Sequence, residues 1–194
     1  MNLGGIPLIE RVLKRASLCN LPVGLATSVH HTDDVLAEFV SGLGYNVFRG
    51  DLNNVLCRAS MAAKAFGFDY FFRLCGDRPV FELDEIRSWD YQIKNGDWLY
   101  GDLVTNYSPG LIKGITTELI SLRALSEIAT LNLLSDAQRE HVTSYFYDNP
   151  SKFNILYRPS KFINLKKGSL AVDTKDDFFS LSGFFDLNSD LDVS

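Results

Sequence analysis

The segment Phe68 to Glu82, FDYFFRLCGDRPVFE, is the part of the sequence from which a sheet can be built. Its apolar run from Tyr70 to Cys75 is interrupted only by Arg73 and then breaks at a Gly-Asp-Arg-Pro turn, which indicates a buried strand ending in a loop. Asp77 therefore stands at the carboxyl end of a predicted strand. Ligands of open α/β sheets bind beyond those ends, so this acid is a candidate for handling metal or phosphate. The alternative is that Asp77 is an ordinary turn aspartate with a local hydrogen bond. The turn chemistry alone favours this alternative.

Strands and helices alternate on the amino-terminal side of this segment. The compact apolar run in Leu21 to Ser28 and the residues Asn46 to Phe48 predict strands. Apolar side chains at helical spacing predict helices that begin near Pro7, near Asp33 and just before Leu56. Strands that alternate with helices at this short pitch are typical of βαβ units, so we expect an α/β protein with a largely parallel sheet.

The carboxyl-terminal side gives a longer series of predicted elements. The predicted strands are Trp98 to Thr105, Glu118 to Ser121 and Leu170 to Val172. The predicted helices are Leu83 to Asn95, Leu122 to Leu134, Asp136 to Tyr147 after a capping box at Ser135, and a last helix after Thr174. The residues Asn106 to Thr117 are rich in Gly, Ser, Pro and Thr, and we expect a loop there.

Length and composition restrict the function. The 194 residues, 46% hydrophobic and 22% charged, predict one globular domain, 1–194. A net charge of −5 and the lack of a basic stripe give no footprint for phosphate backbones, so we expect no nucleic-acid partner. No apolar run approaches the roughly 20 residues that cross a bilayer, so we expect no membrane segment and a cytoplasmic protein. The three cysteines form no CxxC pattern, and we expect reduced, mostly buried thiols.

Two acids now follow predicted strands, Asp77 and Asp173. Two such carboxylates can share one Mg²⁺, which prefers oxygen ligands and keeps waters and substrate phosphates in its other positions. The alternative for Asp173 is that it caps the next helix together with Thr174. His30 and His31 are adjacent and lack a third ligand at zinc spacing, so a solvated turn is favoured over a metal site there.

Seven short pieces occur in one order along nearly the whole chain, from about Leu3 to Phe185. They are Ala26-Thr27-Ser28, Asp33-Asp34-Val35-Leu36, Val47-Phe48-Arg49-Gly50, Val55-Leu56-Cys57-Arg58, Arg73-Leu74-Cys75-Gly76-Asp77, Arg139-Glu140-His141-Val142-Thr143 and Val172-Asp173-Thr174. This ordered set resembles the acylneuraminate cytidylyltransferase family, and within it the spore coat polysaccharide biosynthesis type.

The resemblance implies a nucleotide-diphospho-sugar transferase fold, of the GT-A, Rossmann-like three-layer kind with a mostly parallel central sheet. It implies transfer of CMP from CTP to an acidic sugar with release of pyrophosphate, Mg²⁺ as cofactor, and a place in nucleotide-sugar and surface polysaccharide biosynthesis. Asp77 and Asp173 match the family's two metal acids. The residues near the nucleotide would be Thr27, Ser28, Arg49, Arg58 and Arg73. The acceptor-sugar side would hold Glu118, Arg139 and His141.

The sequence departs from the family at two places. Family members open with a strand and an arginine-containing Pro-Gly-Lys loop that grips the nucleotide phosphates, whereas this sequence matches only after that loop. We therefore expect two neighbouring strands with unpaired backbone groups and a chain that is poor or inactive in catalysis. Thr116 stands where many relatives have an acid, which weakens the acceptor assignment.

Two other functions stay open on the sequence. One is a non-catalytic module that binds nucleotide or takes a strand from another chain into its sheet, with a homo-oligomer as one form of this. The other is a glycosyltransferase on the same fold, which would bind a nucleotide sugar in preference to CTP.

Overall fold

The structure is a computed structural model that describes residues 1–96, 101–162 and 168–187. Its strands are β1 Asn2–Leu3, β2 Ile6–Pro7, β3 Gly24–Ser28, β4 Asn46–Gly50, β5 Tyr70–Phe72, β6 Leu103–Thr105, β7 Glu118–Ser121 and β8 Ile155–Tyr157. Its α-helices are α1 Leu8–Ser17, α2 Asp34–Gly42, α3 Val55–Ala65, α4 Leu83–Lys94, α5 Leu122–Ala129, α6 Asp136–Glu140, α7 Ser144–Asp148 and α8 Lys175–Leu187. From α1 to β5 helix and strand alternate as the sequence predicts, whereas the short hairpin of β1 and β2 before α1 was not predicted.

The strand pairing is mixed, and the predicted mostly parallel sheet is not what the described strands form. β3 and β4 pair in parallel and so do β6 and β8, but β7 runs antiparallel to both of its neighbours, β5 and β6. The order of the larger sheet is β5-β7-β6-β8. β6 and β7 are joined by a loop without a helix, and parallel neighbours usually need a helical crossover to return the chain. The alternation that favoured a parallel sheet ends at α4.

The main core lies between the four-stranded sheet and helices α3, α5 and α7. Its fully buried side chains come from both layers: Leu56, Leu103, Ile120, Leu125 and Phe146. These residues place the carboxyl ends of β5 and β6 next to the segment that joins α6 to α7.

The predicted helix from Asp136 to Tyr147 is wrong as a single element. The capping box at Ser135 is confirmed, but α6 ends after Glu140 and the backbone of His141 is extended, with φ −98° and ψ 91°. The break brings Val142 into the core with no exposed surface. It also lets the Thr143 hydroxyl reach the buried Glu118 carboxylate at 2.8 Å.

Other features of the chain also differ from the predictions. The strand expected at Trp98 to Thr105 is confirmed for β6, while its first residues, 98–100, lie outside the described residues. Leu170 to Val172 forms no strand, because its neighbour Ser169 makes only an isolated bridge to Lys113. Strand β8 was not predicted, because its three residues are too few for a periodic pattern. The three cysteines are free thiols, but each is half-buried and not buried as expected.

None of the helices in the described ranges combines the length and the apolar character that a membrane crossing needs.

Arg11 holds the amino-terminal hairpin of β1 and β2 against two helices. It is buried on α1, its guanidinium donates to the Leu3 carbonyl through Nε at 3.0 Å and Nη2 at 2.7 Å, and Nη2 also donates to the Gly4 carbonyl at 3.0 Å. The same group lies 4.1 Å from the centre of the Phe185 ring on α8. One side chain therefore joins the two ends of the described chain.

We expect Arg11→Ala to lower the free energy of unfolding by about 2–4 kcal/mol, because a buried carbonyl loses its charged donor and the ring loses its cation. Urea unfolding measures this loss. The control is Lys64→Ala at an exposed position of α3, which should change stability by less than about 0.5 kcal/mol. Equal stabilities of the two variants would contradict the role given to Arg11.

Candidate functional site

The two predicted metal acids lie on adjacent segments. Asp77 follows β5, and its backbone carbonyl accepts a hydrogen bond from the Val172 N–H at 2.8 Å, which places Asp173 beside it in the next residue. Residues 95 positions apart in the chain are thus neighbours. The sequence could not show that these two segments adjoin, and the backbone bond does. A shared position for the two carboxylates stays a prediction.

The capping alternative for Asp173 and Thr174 is confirmed for Thr174, and the Asp173 N–H also donates to Asp177 Oδ2 at 3.3 Å. Thr174 accepts a hydrogen bond from the Asp177 N–H through Oγ1 at 3.1 Å and donates that hydroxyl to Asp177 Oδ2 at 2.8 Å. Thr174 therefore caps α8, as the sequence predicts. The Asp173 carboxylate instead lies 2.6 Å from Lys113 Nζ, with the two side chains 39% and 60% exposed. This carboxylate raises the pKa of Lys113.

The donor set suits magnesium better than a metal that needs a protein cage. In the described part of the chain, no group of three or more His, Cys, Asp or Glu side chains could hold a metal ion. Mg²⁺ is commonly bound by one or two carboxylates with water and substrate phosphates in the other positions. Asp77 and Asp173 carry the kind of ligand that Mg²⁺ takes together with phosphate, and a magnesium ion bound by both stays a prediction.

Glu118 is a buried carboxylate with three partners. Its Oε2 accepts from Arg73 Nη1 at 3.2 Å, and its Oε1 accepts from the Thr143 hydroxyl at 2.8 Å and the Tyr147 hydroxyl at 2.9 Å. The Tyr147 oxygen also lies 3.0 Å from Thr105 Oγ1. Burial and the charge of Glu118 raise the pKa of Tyr147 far above its usual range. Both oxygens of Glu118 are thus engaged inside the protein, and its predicted contact with a sugar stays a prediction.

Arg73 and Glu118 connect the ends of β5 and β7 directly. Burial acts to lower the pKa of Arg73, but Cys75, Glu118 and Asp77 nearby raise it overall. The Arg73 guanidinium is therefore a fixed positive charge close to the Asp77 acid. Its predicted place near the nucleotide stays a prediction.

A second cluster forms at the carboxyl end of β3. The Thr27 and Ser28 hydroxyls donate to Asp33 Oδ2 at 2.7 Å and 2.6 Å, and the Ser28 N–H donates to the same oxygen at 3.0 Å. These bonds lower the pKa of Asp33 to about 2, and the bond from the Ser28 hydroxyl has the largest effect. Thr27 and Ser28 are buried. Their side chains hold the turn after β3, and Asp33, which organises them, was not among the predicted site residues.

Two arginines join this cluster from the β4 side. Arg49 donates through Nε to the Ser28 carbonyl at 2.9 Å and pairs with Asp34 Oδ1 at 2.6 Å. Arg58 donates through Nη1 to the Asp51 carbonyl at 2.6 Å, and burial lowers its pKa. Four of the five residues predicted near the nucleotide thus meet at the carboxyl ends of β3 and β4, while Arg73 lies at the end of β5.

The residues predicted on the sugar side are partly brought together. Arg139 lies on α6 and helps to lower the pKa of Asp51, after the backbone N–H groups of Asn54 and Asn53, which places it towards the β4 cluster. His141 is exposed at the end of α6, and its carbonyl accepts from the Ser144 hydroxyl at 2.7 Å. Thr143 and Tyr147, which sequence reasoning missed, connect this segment to Glu118. Thr143 lies in the short piece Arg139 to Thr143 that resembles the family, and this piece was the signal from which it could have been predicted.

A cleft of about 620 Å³ lies between β3 and β5. In the part of the chain that the structure describes, β3 pairs with β4 alone and β5 with β7 alone. Apolar side chains line the cleft from both strands and from α1, α3 and α4. They include Leu13, Leu25, Ala26, Ala62, Phe71 and Ile86. The cleft thus divides the β3–β4 cluster from the Asp77–Asp173 pair.

Comparison with known proteins gives the family. A family model described as Cytidylyltransferase matches residues 1–180. The chain belongs to the cytidylyltransferase family. The spore coat polysaccharide biosynthesis protein SpsF of Bacillus subtilis (strain 168) is 30% identical over 165 residues, which are 83% of this chain and 65% of that protein. The chain thus spans less than two thirds of this cytidylyltransferase-family relative.

Solved structures agree on the fold of this cytidylyltransferase-family chain. A cytidylyltransferase from Leptospira borgpetersenii serovar Hardjo-bovis matches with a TM-score of 0.81 at 22% identity, over 97% of this chain and 87% of the other. CMP:2-keto-3-deoxy-manno-octonic acid synthetase, complexed with CTP, matches with a TM-score of 0.71 at 12% identity, over 97% and 91% of the two chains. The α/β nucleotidyltransferase-like fold predicted from the sequence is confirmed.

Asp33→Asn should destabilise the protein by about 1 kcal/mol near neutral pH, because a charged acceptor of three bonds becomes neutral. The folded pKa of Asp33, about 2, lies below the unfolded value of roughly 3.9. Its stabilising contribution is therefore complete above about pH 4 and is lost as the pH falls towards the folded value. Urea unfolding should show the wild type and the variant converging between about pH 4 and pH 2. A difference that stays constant over that range would contradict the assignment.

Proposed function

We propose that this protein transfers a cytidylyl group from CTP to an acidic sugar, with Mg²⁺ bound by Asp77 and Asp173. The observation that carries the proposal is that the two segments bearing these acids adjoin, through the bond from the Val172 N–H to the Asp77 carbonyl. Membership of the cytidylyltransferase family supports the donor. The name of the structural neighbour that was solved with CTP, a CMP synthetase of a keto-deoxy sugar acid, supports an acidic acceptor.

The transfer forms a bond between a sugar hydroxyl oxygen and the α-phosphorus of CTP and breaks the bond from that phosphorus to the bridging oxygen of the leaving pyrophosphate. Such transfers depend mainly on positioning and on neutralising charge. A bound Mg²⁺ would polarise the phosphate oxygens and stabilise the leaving group. The two acids would hold the ion at the end of β5. Thr27, Ser28 and Arg49 would shape the nucleotide side, where their hydroxyls and guanidinium already fix the backbone of the β3 turn.

The remaining predicted residues have three roles in this proposal. Arg58 and Arg73 keep positive charge near the β4 end and near Asp77. Arg139 and His141 present donors to the carboxylate of the acceptor sugar. Glu118 acts by holding Arg73 and Thr143 in place, because its oxygens are already occupied by those groups.

Calorimetric titration with CTP tests the donor and the metal together. We expect binding that requires Mg²⁺, and at least a tenfold weakening in Asp77→Asn and in Asp173→Asn, because each removes one charged ligand. The exposed Glu38→Gln on α2 is the control and should bind as the wild type does. Equal affinities with and without Mg²⁺, or in all four proteins, would contradict the metal assignment.

Release of pyrophosphate from CTP and a nonulosonic acid tests the reaction itself. Turnover should be slow, since the β3–β4 cluster and the two metal acids lie on different sides of the cleft. β3 and β5 do not pair across that cleft. Robust turnover would support the transferase activity and contradict the expected impairment. Binding of a nucleotide sugar in preference to CTP would instead favour a glycosyltransferase.

The cleft supports a second candidate, a module that takes a strand from another chain. Its two sides are strand edges, and an open edge is a template for an added strand. Helices cover the cleft on both faces, so the added strand would need apolar residues at successive positions. A second copy or another protein could supply it.

Native mass spectrometry without nucleotide tests the module. If the module is correct, the chain is a stable oligomer that binds no CTP, and Ala26→Glu, which puts a charge into the cleft, returns it to a monomer. Val35→Glu, on an exposed face of α2 (76% exposed), is the matched control and should leave the oligomer intact. A monomer that binds CTP would reject the module.

A further inference from the structure

Lys113 pairs with one of the two acids assigned to the metal. Its ammonium lies 2.6 Å from Asp173 Oδ2, and both side chains are about half exposed. Lys113 stands in the loop between β6 and β7 and was not among the residues predicted from the sequence. A positive group therefore already occupies one of the carboxylates that Mg²⁺ would need.

The backbone of Lys113 is fixed to the Asp173 segment independently of this ion pair. The Lys113 carbonyl accepts from the Leu170 N–H at 2.7 Å, and Lys113 and Ser169 form a parallel bridge. The next residue, Gly114, has a φ of +97°, and a Cβ there would lie 2.6 Å from the Leu170 carbonyl carbon. Glycine is therefore required, and the close contact holds the loop against the 169–171 segment.

The base of the loop and the Asp77 turn complete the same arrangement. The Thr117 N–H donates to the Asn106 side-chain oxygen at 2.9 Å, which ties the two ends of the loop together. The Val172 N–H donates to the Asp77 carbonyl at 2.8 Å. These contacts thus hold the backbone of Lys113 beside the Asp173 segment, while its four-carbon stem leaves the ammonium free to change partners.

A dication and an ammonium repel each other when they share one carboxylate. Mg²⁺ bound by Asp173 would therefore displace the Lys113 ammonium, and the fixed backbone would keep that ammonium within one side-chain length of the ion. Mg²⁺ carries phosphate oxygens in its open positions. The negative groups next to the displaced ammonium are then the phosphates.

We propose that Lys113 neutralises Asp173 before the metal binds and afterwards binds the phosphates of the metal-bound nucleotide. This inference rests on the proposed function, because it needs Asp77 and Asp173 to hold the ion. Lys113 then has two partners in turn, Asp173 and the phosphates. A substitution of Lys113 should therefore strengthen binding of the metal and weaken binding of the nucleotide.

Mn²⁺ serves as the probe, since it shares the oxygen preference of Mg²⁺ and its free form is counted by electron paramagnetic resonance. In Lys113→Met, Mn²⁺ alone should bind about 1.5- to 5-fold more tightly, as expected when an exposed ion pair no longer competes. CTP added with saturating Mn²⁺ should bind at least about 5-fold more weakly, because a charge-assisted contact to phosphate is lost. The affinity for inorganic pyrophosphate in the presence of Mn²⁺ should fall by the same factor.

Two further variants complete the experiment. Lys113→Arg keeps the charge and should restore most of the phosphate affinity. Lys161→Met removes a similar exposed pair, with Nζ 3.1 Å from Glu82 Oε2, and should leave both binding steps unchanged. Thermal unfolding of each protein checks that the fold is retained. We expect it to be retained, because Lys113 holds its loop through backbone contacts and not through its side chain.

The outcomes separate this inference from the proposed function. If Asp173→Asn leaves Mn²⁺ binding unchanged, the metal site is wrong and the inference falls with it. If Asp173→Asn weakens Mn²⁺ binding while Lys113→Met changes neither step, or weakens both, only the inference is overturned. A loss confined to CTP, with pyrophosphate unaffected, would also overturn it, because the contact would then not be to phosphate.

Discussion

The buried carboxylate of Glu118 is the constraint on which the larger half of the structure depends. A buried charge is tolerated only when it is paired and hydrogen-bonded, so its partners are fixed in number and direction. Glu118 meets that need with Arg73 from the end of β5 and with Thr143 and Tyr147 from the segment around α7. One side chain therefore sets the distance between three elements that are far apart in sequence. The break between α6 and α7 follows from it, because Thr143 must turn inward.

Asp33 has the corresponding role at the carboxyl ends of β3 and β4, where it orders the turn through hydrogen bonds. It gathers two hydroxyls and one backbone N–H onto a single oxygen, and Arg49 then ties the same turn to the next strand. The candidate site thus has two halves, each ordered by one acid, with the apolar cleft between them. The metal acids belong to the Glu118 half, whereas most of the predicted nucleotide residues belong to the Asp33 half.

The sequence predicted the first half of the fold well because its helices carry apolar residues at regular spacing and each is followed by a short strand. That signal weakens after α4. Strand β8 is three residues long, and the helix predicted from Asp136 gives no local hint that Val142 is needed in the core. The predicted site residues came from resemblance. The structure joins the backbones of Asp77 and Val172, the residue before Asp173, and brings Thr27 and Ser28 close to Arg49. Local patterns could not identify Asp33, Thr143 or Lys113, because their importance lies in partners that only the folded chain supplies.

The cleft between β3 and β5 also leaves apolar surface in contact with water. Leu25, Ala26 and Phe71 line it, and each is only half-buried. Transfer of apolar surface out of water is favourable roughly in proportion to its area. Filling of the cleft by an apolar occupant would therefore lower the heat capacity of the system, which is the thermodynamic marker of apolar burial.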